Sequence, residues 1–497
     1  MHRRRRLTRA VAAATVLAAL LPAALVAQIP RAEYAARRAA LARALPGDGV
    51  VLAVGADEPS ENFLSFFQRS PFLYLTGFNE PNAYLLLVRR GGTVASTLFV
   101  QPKDPAAEVW TGRRVGAAGA EALTGVRGRD VREVQQALDS LVATGLPLFT
   151  VGAGGENGVG APGTADSVVQ AVAAAHGGVT RVQDVTALVA RLRGTKTAAE
   201  IDLIRRAASI TVTAQREAMA AAEPGMNEFE LQALVEYTFR RNGADRPSFA
   251  TIIGSGPNAT TLHYNADDRF MRAGEVVVMD IGASYRGYAA DVTRTIPVSG
   301  TFSPAQREIY QLVRDAQAAA ERAAKPGAPA RTMTDSAVVV VAAGLSRLGL
   351  IESPEATYDC GGAGGSCPQW RLYWMHGLGH GIGLDVHDPE QFYTTGIIAP
   401  GSAFTIEPGV YVRENVLEIL PDSPRNKALI AKIRPAVERY RNVGVRIEDD
   451  YVVTARGVEW ISPAPREIAE VEAAMKVEFR GPAMRDGATV ERYREQR

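Results

Sequence analysis

Cysteine and histidine are scarce in this sequence, and neither sign of charge is in clear excess. The 497 residues include two cysteines and six histidines, and 55 basic against 54 acidic residues give a formal charge of +1. Two cysteines are too few for a metal site built from thiolates alone. A chain without a basic excess gives no reason to expect nucleic-acid binding. The hydrophobic content of 46% suits a soluble protein of two or three domains at this length.

The first 27 residues have the pattern of a secretory signal peptide. Four consecutive arginines at positions 3–6 precede an apolar, alanine-rich stretch at positions 10–27, and a small residue stands before Gln28. A membrane anchor would need a longer uninterrupted apolar span than Pro22 allows. We therefore expect export to the periplasm or the medium. Removal of this segment leaves 50 basic against 54 acidic residues, a formal charge of −4.

Two aspartates stand on the apolar runs of a predicted β-hairpin. Residues 276–281 read V-V-V-M-D-I, residues 284–287 are predicted to form a turn, and residues 288–298 alternate as a second strand. Strands joined by a short turn pair antiparallel, so Asp280 and Asp291 can meet across the hairpin. A buried carboxylate pair needs a proton or a cation between its members. The hairpin alone is equally compatible with two solvated turn aspartates.

Further candidate ligands follow in three short motifs. Residues 374–389 read W-M-H-G-L-G-H-G-I-G-L-D-V-H-D-P, residues 404–409 read F-T-I-E-P-G, and residues 445–451 read V-R-I-E-D-D-Y, which is predicted to be one strand. The side chains of interest are His376, His380, His387, Glu407 and Glu448. Carboxylates with one imidazole suit two hard or borderline divalent ions. They favour Mn²⁺, Zn²⁺, Co²⁺ or Fe²⁺ over a metal that prefers thiolates.

These motifs, in this order, resemble the pita-bread metallopeptidases, which include methionine aminopeptidase, Xaa-Pro aminopeptidase and prolidase. The resemblance runs from about residue 196 to about residue 468. Residues 68–81, Q-R-S-P-F-L-Y-L-T-G-F-N-E-P, resemble the N-terminal domain that Xaa-Pro aminopeptidases and prolidases have and methionine aminopeptidases lack.

The resemblance implies an α+β fold with two domains. An N-terminal α/β domain of the creatinase and prolidase type is expected at residues 28–193, and a pita-bread catalytic domain at residues 194–477. A capping box from Thr197 to Glu200 opens a helix just after this boundary. Residues 478–497 are polar and are expected to form a C-terminal tail.

The resemblance also implies the metal ligands. Asp291 and Glu448 would bridge two divalent ions. Asp280 would complete the coordination of one ion, and His380 and Glu407 that of the other. Mn²⁺ is the expected metal, with Zn²⁺ and Co²⁺ as alternatives.

Four further residues are expected to act beside the metal. By resemblance, His263 and His387 would hydrogen-bond the substrate and the tetrahedral intermediate, and His376 would line the substrate pocket. Glu407 is the candidate for moving the proton of the attacking water. Arg446 alternates with Glu448 on its strand, so both face one side and Arg446 can orient a carboxylate there.

Three functions fit these residues. The first is an exported Xaa-Pro aminopeptidase, which removes an N-terminal residue ahead of proline, and the second is a prolidase that cleaves Xaa-Pro dipeptides. The third is an inactive pita-bread binding protein, which the complete ligand set disfavours. We expect peptide substrates with proline in second position, no nucleic-acid or membrane partner after signal cleavage, and a homo-oligomer by resemblance.

Two segments depart from the shorter family members. Residues 358–370 hold both cysteines, Cys360 and Cys367, and residues 412–442 are a charged insertion. Either segment can shape the mouth of the cleft or be surface decoration. An even cysteine count in an exported chain predicts a disulfide.

Overall fold

The computed structural model describes residues 29–61, 64–152, 166–178, 182–361 and 365–482. The predicted signal peptide and residues 483–497 of the predicted tail lie outside these ranges. Within them, no helix has both the length and the apolar character needed to cross a membrane.

The N-terminal part is a mixed six-stranded sheet with helices around it. The strand order is β4-β3-β2-β1-β5-β6, in which β1 pairs antiparallel with β2 and parallel with β5. All six side chains of β1 are buried, because both faces of the sheet are covered. The strands are β1 Gly49–Val54, β2 Tyr84–Arg90, β3 Thr93–Val100, β4 Arg127–Asp130, β5 Leu148–Val151 and β6 Val182–Asp184. The helices are α1 Arg31–Ala44, α2 Ser70–Thr76, α3 Pro105–Thr111, α4 Gly116–Thr124, α5 Val134–Val142, α6 Ser167–Ala175 and α7 Thr186–Arg193.

The following part begins at the predicted capping box. The Thr197 side chain accepts from the backbone of Glu200, whose carboxylate accepts in return from the Thr197 backbone N–H. Seven helices and thirteen strands follow within the described residues. The helices are α8 Ala198–Ala221, α9 Glu228–Arg241, α10 Pro304–Ala323, α11 Arg331–Arg347, α12 Gln391–Thr395, α13 Pro424–Tyr440 and α14 Ile468–Ala474. The strands up to residue 297 are β7 Arg246–Pro247, β8 Ile252–Ser255, β9 Val276–Ile281, β10 Ala283–Tyr285, β11 Tyr288–Ala289 and β12 Val292–Pro297. The remaining strands are β13 Thr357–Asp359, β14 Ser366–Pro368, β15 Ala403–Ile406, β16 Gly409–Tyr411, β17 Gly444–Arg446, β18 Asp449–Thr454 and β19 Gly457–Trp460.

The aspartate hairpin forms, but its ladder is interrupted. Strand β9 agrees with the prediction, whereas the second predicted strand divides into β11 and β12, and the turn narrows to Arg286 and Gly287. Asp280 pairs with Thr293, so the two aspartates are not cross-strand partners. Asp291 lies at the interruption, where the chain passes from one sheet to the next.

A glycine permits this interruption. A Cβ atom on Gly282 would lie 2.0 Å from the Ala290 carbonyl oxygen and 2.3 Å from the Ser248 hydroxyl. Only glycine therefore allows the backbones of the two strands to approach this closely.

The glutamate strands are interrupted in the same way. The predicted single strand at residues 445–451 is wrong, because β17 ends at Arg446 and β18 begins at Asp449. Its partner breaks opposite, between β15 and β16, since Ile406 pairs with Asp449 and Gly409 with Arg446. Glu407 and Glu448 occupy these facing breaks rather than the strands themselves.

The two departing segments pack on each other. Cys360 and Cys367 form the predicted disulfide across the β13–β14 hairpin. Asn426, at the start of α13 in the second segment, donates to the Asp359 carbonyl oxygen at 2.8 Å and accepts from the Asp359 backbone N–H at 3.0 Å. The charged insertion therefore contains a helix, whose N-terminus holds the disulfide hairpin.

A buried cluster joins the N-terminal part to the aspartate hairpin. Arg37 of α1 contacts Glu33 at 2.5 Å and Glu200 at 3.2 Å, and its guanidinium lies 4.2 Å from the centre of the Tyr74 ring. Tyr288 in β11 donates to Glu200 at 3.0 Å. The turn end of the hairpin is thus anchored to the N-terminal helices.

Candidate metal centre

All nine residues singled out in the sequence line one cleft. Its volume is about 490 Å³, and its wall also includes the apolar side chains of Phe249, Ile252, Leu262 and Val386. The predicted site residues in the wall are His263, Asp280, Asp291, His376, His380, His387, Glu407, Arg446 and Glu448. Segments far apart in sequence are therefore brought together as the motifs predicted.

His380 stands at the centre of the carboxylates. Its Nε2 atom lies 3.5 Å from Asp291 Oδ2, 3.5 Å from Glu407 Oε1 and 3.8 Å from Glu448 Oε1. One ligand atom from each of Asp291, His380 and Glu448 lies within 4.8 Å of the others. These atoms are close enough to share a cation.

Several carboxylate oxygens in the cleft have no hydrogen-bond partner. Within the described part of the chain, Asp280 Oδ1, Asp291 Oδ1 and Glu448 Oε1 are buried and have no hydrogen-bond partner, although buried polar atoms are normally satisfied. Hard or borderline divalent ions bind carboxylate oxygen and imidazole nitrogen, which is the donor set present here. The residues therefore fit a divalent-metal site.

The electrostatics of the cleft agree with this interpretation. Burial raises the pKa of Asp291 well above its usual value, and the neighbouring Glu448 and Asp280 raise it further. Burial raises the pKa of Glu407 to about 8, with Arg446 opposing the shift and Asp280 adding to it. Mutually repelling acids of this kind need protons or a cation between them.

The histidine ligand is prepared to bind metal. Burial lowers the pKa of His380 to about 4, and the neighbouring His387 lowers it further. At neutral pH the imidazole is uncharged, which is the state that coordinates a metal. Its backbone is fixed in turn, because the His380 N–H donates to the Thr405 hydroxyl at 3.1 Å.

Arg446 lies where it can orient a carboxylate. Its Nη2 donates to Asp280 Oδ2 in a buried ion pair, and its Nη1 donates to the Tyr411 hydroxyl at 2.9 Å. That hydroxyl also lies 2.9 Å from Nε2 of His376, whose pKa burial lowers to about 4, with Arg446 lowering it further. These hydrogen bonds form a series along one wall of the cleft, which runs from Asp280 through Arg446 and Tyr411 to His376.

Sequence reasoning missed four residues that support the site: Thr405, described above, and Tyr411, Thr293 and Asp450. Besides Tyr411, the Thr293 hydroxyl donates to Glu448 Oε2 at 2.6 Å, and both carboxylate oxygens of Asp450 accept from the Asp291 N–H at 3.2–3.3 Å. Tyr411 stands two residues after the E-P-G turn, so the motif itself was a signal. Nothing else in the sequence indicated a role for Thr293 or Asp450. Each looks like an ordinary strand residue, and only the folded structure brings it to its partner.

His263 and His387 differ from the other two cleft histidines. Both are exposed, and neither ring makes a hydrogen bond within the described residues. The His387 ring packs edge-on against His380, with 4.3 Å between ring centres. Both rings are therefore free to contact a molecule in the cleft.

Comparisons with known proteins agree with the fold and the site. A family model described as metallopeptidase family M24 matches residues 202–455, and one described as aminopeptidase P, N-terminal domain, matches residues 34–147. Xaa-Pro aminopeptidase of Escherichia coli is 35% identical over 465 residues, which are 90% of this chain and 98% of that relative.

Solved structures of the same enzyme superimpose over nearly all of the chain. A substituted Escherichia coli aminopeptidase P in complex with substrate has a TM-score of 0.77 and 33% identity, covering 91% of this chain and 100% of its own. A zinc-substituted form in complex with product has a TM-score of 0.75 and 34% identity, covering 90% and 98%.

The fold and the cleft together define a metallopeptidase. The carboxylates, the single imidazole ligand and the two-part architecture are all those of this class. The chain belongs to metallopeptidase family M24 and carries the N-terminal domain of aminopeptidase P. The fold predicted from the sequence, an N-terminal α/β domain followed by a pita-bread catalytic domain, is thus confirmed.

Proposed function

We propose that the protein is a Xaa-Pro aminopeptidase, which removes the first residue of a peptide when proline follows it. The observation that carries this proposal is the cluster of buried Asp291 and Glu448 with half-buried His380, whose carboxylates have oxygens without a partner among the described residues. The relatives named Xaa-Pro aminopeptidase support it, since the match extends over almost their whole length.

The cleft offers ligands for two divalent ions. We infer that Asp280, Asp291, His380, Glu407 and Glu448 would hold these ions. Mn²⁺ is our first expectation, with Zn²⁺ or Co²⁺ as alternatives, because the ligands are mainly carboxylates. Such ions would polarise the scissile carbonyl group and lower the pKa of the attacking water.

The protein's own residues would handle the proton and the charges. Glu407 lies at the edge of the cluster with its side chain 15% exposed, and its carboxylate is the candidate for taking up and releasing the proton of the attacking water. Arg446 holds Asp280 in one orientation through their buried ion pair and keeps the Tyr411 hydroxyl beside it. Its guanidinium also offsets part of the negative charge of the cluster.

The exposed histidines would contact the substrate. Partial desolvation in the cleft and the neighbouring His263 lower the pKa of His387, so its imidazole is mainly neutral at pH 7 and carries one N–H. We infer that this N–H donates to the oxygen that becomes charged in the transition state. His263 would bind the substrate from the opposite loop, and His376 would line the pocket.

Two substitutions separate a ligand histidine from a transition-state histidine. His380→Ala should lose bound metal. His387→Ala should keep metal and KM but lose about 10²–10³ in kcat, the usual cost of one such donor. Plasma spectrometry beside steady-state kinetics distinguishes them, and a metal-free His387→Ala or one with parental kcat would contradict the assignment.

A peptide panel separates the aminopeptidase from a prolidase. The chelated protein, reloaded in turn with Mn²⁺, Co²⁺ and Zn²⁺, is assayed on Xaa-Pro dipeptides and Xaa-Pro-Yaa peptides. Release of the first residue from the longer peptides supports the proposal. Cleavage confined to dipeptides indicates a prolidase, and no cleavage with any metal indicates a binding protein.

We also propose that the protein is exported and forms a homo-oligomer. The basic and apolar segment at residues 1–27 supports export, and N-terminal sequencing of the mature protein should begin at Gln28. Val109 and Trp110 on α3 are 78% and 74% exposed, and such neighbouring apolar side chains favour an interface. Light scattering should give a mass above the 53.0 kDa of one chain.

A further inference from the structure

His387 lies on a short loop whose ends are tied together. The Asp388 N–H donates to the Gly381 carbonyl oxygen at 2.8 Å, and the Gly383 N–H donates to the Asp385 carbonyl oxygen at 3.1 Å. Since the His387 ring makes no hydrogen bond within the described residues, its direction is set by the loop backbone together with the edge-on contact with the His380 ring. Whatever fixes the loop therefore fixes the histidine.

The carboxylate of Asp385 holds this loop to the N-terminal part of the chain. The Ser70 hydroxyl, at the start of α2, lies 2.5 Å from Asp385 Oδ1 and 3.4 Å from the Leu384 carbonyl oxygen. Arg193, the last residue of α7, donates from Nη2 to Asp385 Oδ2 at 2.5 Å. Both partners precede residue 194, whereas the loop is almost 200 residues further on.

The same arginine also holds the other side of His387. Its Nη2 forms a buried ion pair with Asp388 Oδ1, and Lys196 lies 3.0 Å from Asp388 Oδ2. The Arg193 and Asp388 side chains are 6% and 2% exposed, so this pair is poorly screened by solvent, whereas the Asp385 carboxylate is 45% exposed. One guanidinium therefore joins the residues two before and one after His387.

We propose that Asp385 is a positioning residue, through which Ser70 and Arg193 of the N-terminal part set the direction of His387. This rests on the proposed role of His387 in the peptidase reaction. The N-terminal domain then contributes to turnover without contacting the reacting atoms.

The smallest perturbation removes one hydroxyl group. Ser70→Ala takes away the bond to Asp385 Oδ1 and leaves the Arg193 contact in place, so the fold should be kept. A displacement of the donor of a fraction of an ångström should lower kcat about tenfold. Metal content and KM should stay unchanged, and Ser70→Thr, which keeps the hydroxyl, should restore kcat.

A double-mutant cycle tests whether the effect passes through His387. Once His387 is replaced by alanine, Ser70→Ala should cause no further loss, because the group that it positions is absent. Ser140→Ala is the matched control, since its hydroxyl bonds only within its own helix, to the Gln136 carbonyl oxygen. An equal loss in both backgrounds, or no loss in the parent, would overturn the positioning role.

A readout without substrate keeps this proposal separate from the peptidase proposal. In protein labelled with ¹³C-histidine, Ser70→Ala should shift the ring signal of His387 and leave that of His176 in place. His176 pairs with Asp139 at 2.7 Å, away from the loop, and serves as the internal reference. An unmoved His387 signal overturns the positioning role. A moved signal with parental kcat in His387→Ala overturns only the role of His387 in catalysis.

Discussion

Removal of the buried guanidinium of Arg294 should destabilise the protein and weaken its metal site together. Arg294 lies in β12, is fully buried, and donates all five of its N–H groups at 2.6–3.0 Å. The acceptors are the backbone oxygens of Thr293, Glu448, Ala464 and Pro465 and one carboxylate oxygen of Asp449. One side chain thus joins the strand after Asp291 to the backbone of the ligand Glu448.

The cost can be worked from these contacts. Arg294→Met leaves four buried carbonyl oxygens without this donor, but Asp449 keeps Arg466 at 2.9 Å and Gln317 at 3.0 Å from its other oxygen. The loss should therefore resemble that of a broken buried ion pair, about 3–5 kcal/mol. At about 2–4 °C per kcal/mol for a domain of some 250 residues, Tm should fall by about 6–20 °C. The lysine of Arg294→Lys has only three N–H groups, so the Tm of this variant should lie between those of the parent and of Arg294→Met.

The loss of stability is measured by thermal unfolding in the presence of a chelator. The weaker metal binding is measured by equilibrium dialysis against Mn²⁺. Arg439→Met is the control, because Arg439 bonds Glu308 at 2.8 Å with 57% of its own side chain exposed. An exposed pair is worth at most about 1 kcal/mol, so its Tm should hardly change. The reasoning is refuted if Arg294→Met unfolds within about 2 °C of the parent, or if it binds Mn²⁺ as tightly.

Three further predictions concern the metal cluster and the disulfide. Glu448→Gln and Asp291→Asn should abolish activity and lower bound metal per chain in plasma spectrometry, and full activity with unchanged metal would contradict the two-metal assignment. In the metal-free protein, Glu407, Asp291 and Glu448 have pKa values above those of the unfolded chain, so the folded state binds their protons more tightly. Their contribution to the free energy of unfolding is therefore fully present below the unfolded-state pKa, which is about 4.3. This stability is lost as the pH rises through about 8 for Glu407, so the metal-free Tm should fall from pH 5.5 to pH 8, and Mn²⁺ should raise Tm more at pH 8. A flat metal-free profile would contradict this. Thiol titration of unreduced, denatured protein should find neither Cys360 nor Cys367 free, and reduction should cost at most about 2–3 kcal/mol for so short a loop.

The sequence predicted the fold, and the residues that it singled out line one cleft, because each motif keeps its residues within a few positions of each other. The aspartate hairpin, the histidine block and the E-P-G turn are local patterns, and each is found where it was expected. What the patterns do not contain is the contact between motifs. Thr293 binds Glu448 across 155 residues and Asp450 binds Asp291 across 159, and nothing in either motif indicates its partner.

The strand interruptions were missed for a related reason. Residues 445–448 alternate apolar and charged side chains, and all of residues 445–451 are buried, so neither the sequence nor the burial marks the break. The break is visible only in the strand pairing, because β17 pairs with β16 whereas β18 pairs with β15. Sequence alternation reports burial, not which neighbour supplies the hydrogen bonds.

Each interruption leaves backbone carbonyl groups that need a donor, and a buried glutamine supplies it at the aspartates. Gln215 of α8 donates from Nε2 to the carbonyl oxygen of Met279 at 3.1 Å and to that of Val292 at 2.7 Å. Met279 precedes Asp280 and Val292 follows Asp291. The glutamine therefore holds the two strands together beside their ligands.

A second glutamine does the same at the glutamates. Gln317 of α10 donates from Nε2 to the carbonyl oxygens of Ile406 and Ile447, both at 3.3 Å. These residues stand immediately before Glu407 and Glu448. Each glutamine lies on the first of two helices that precede its pair of strands, so the unit of two helices and two strands occurs twice.

The two units share little that a sequence comparison could detect. What is repeated is a break between strands and a donor from the preceding helix, while the ligands themselves are aspartates in one unit and glutamates in the other. A buried carbonyl group left without a partner costs about 1–3 kcal/mol, so each break requires its donor whatever the surrounding residues are. Each break is therefore supplied by one buried glutamine, Gln215 in the first unit and Gln317 in the second, while the ligands beside them differ.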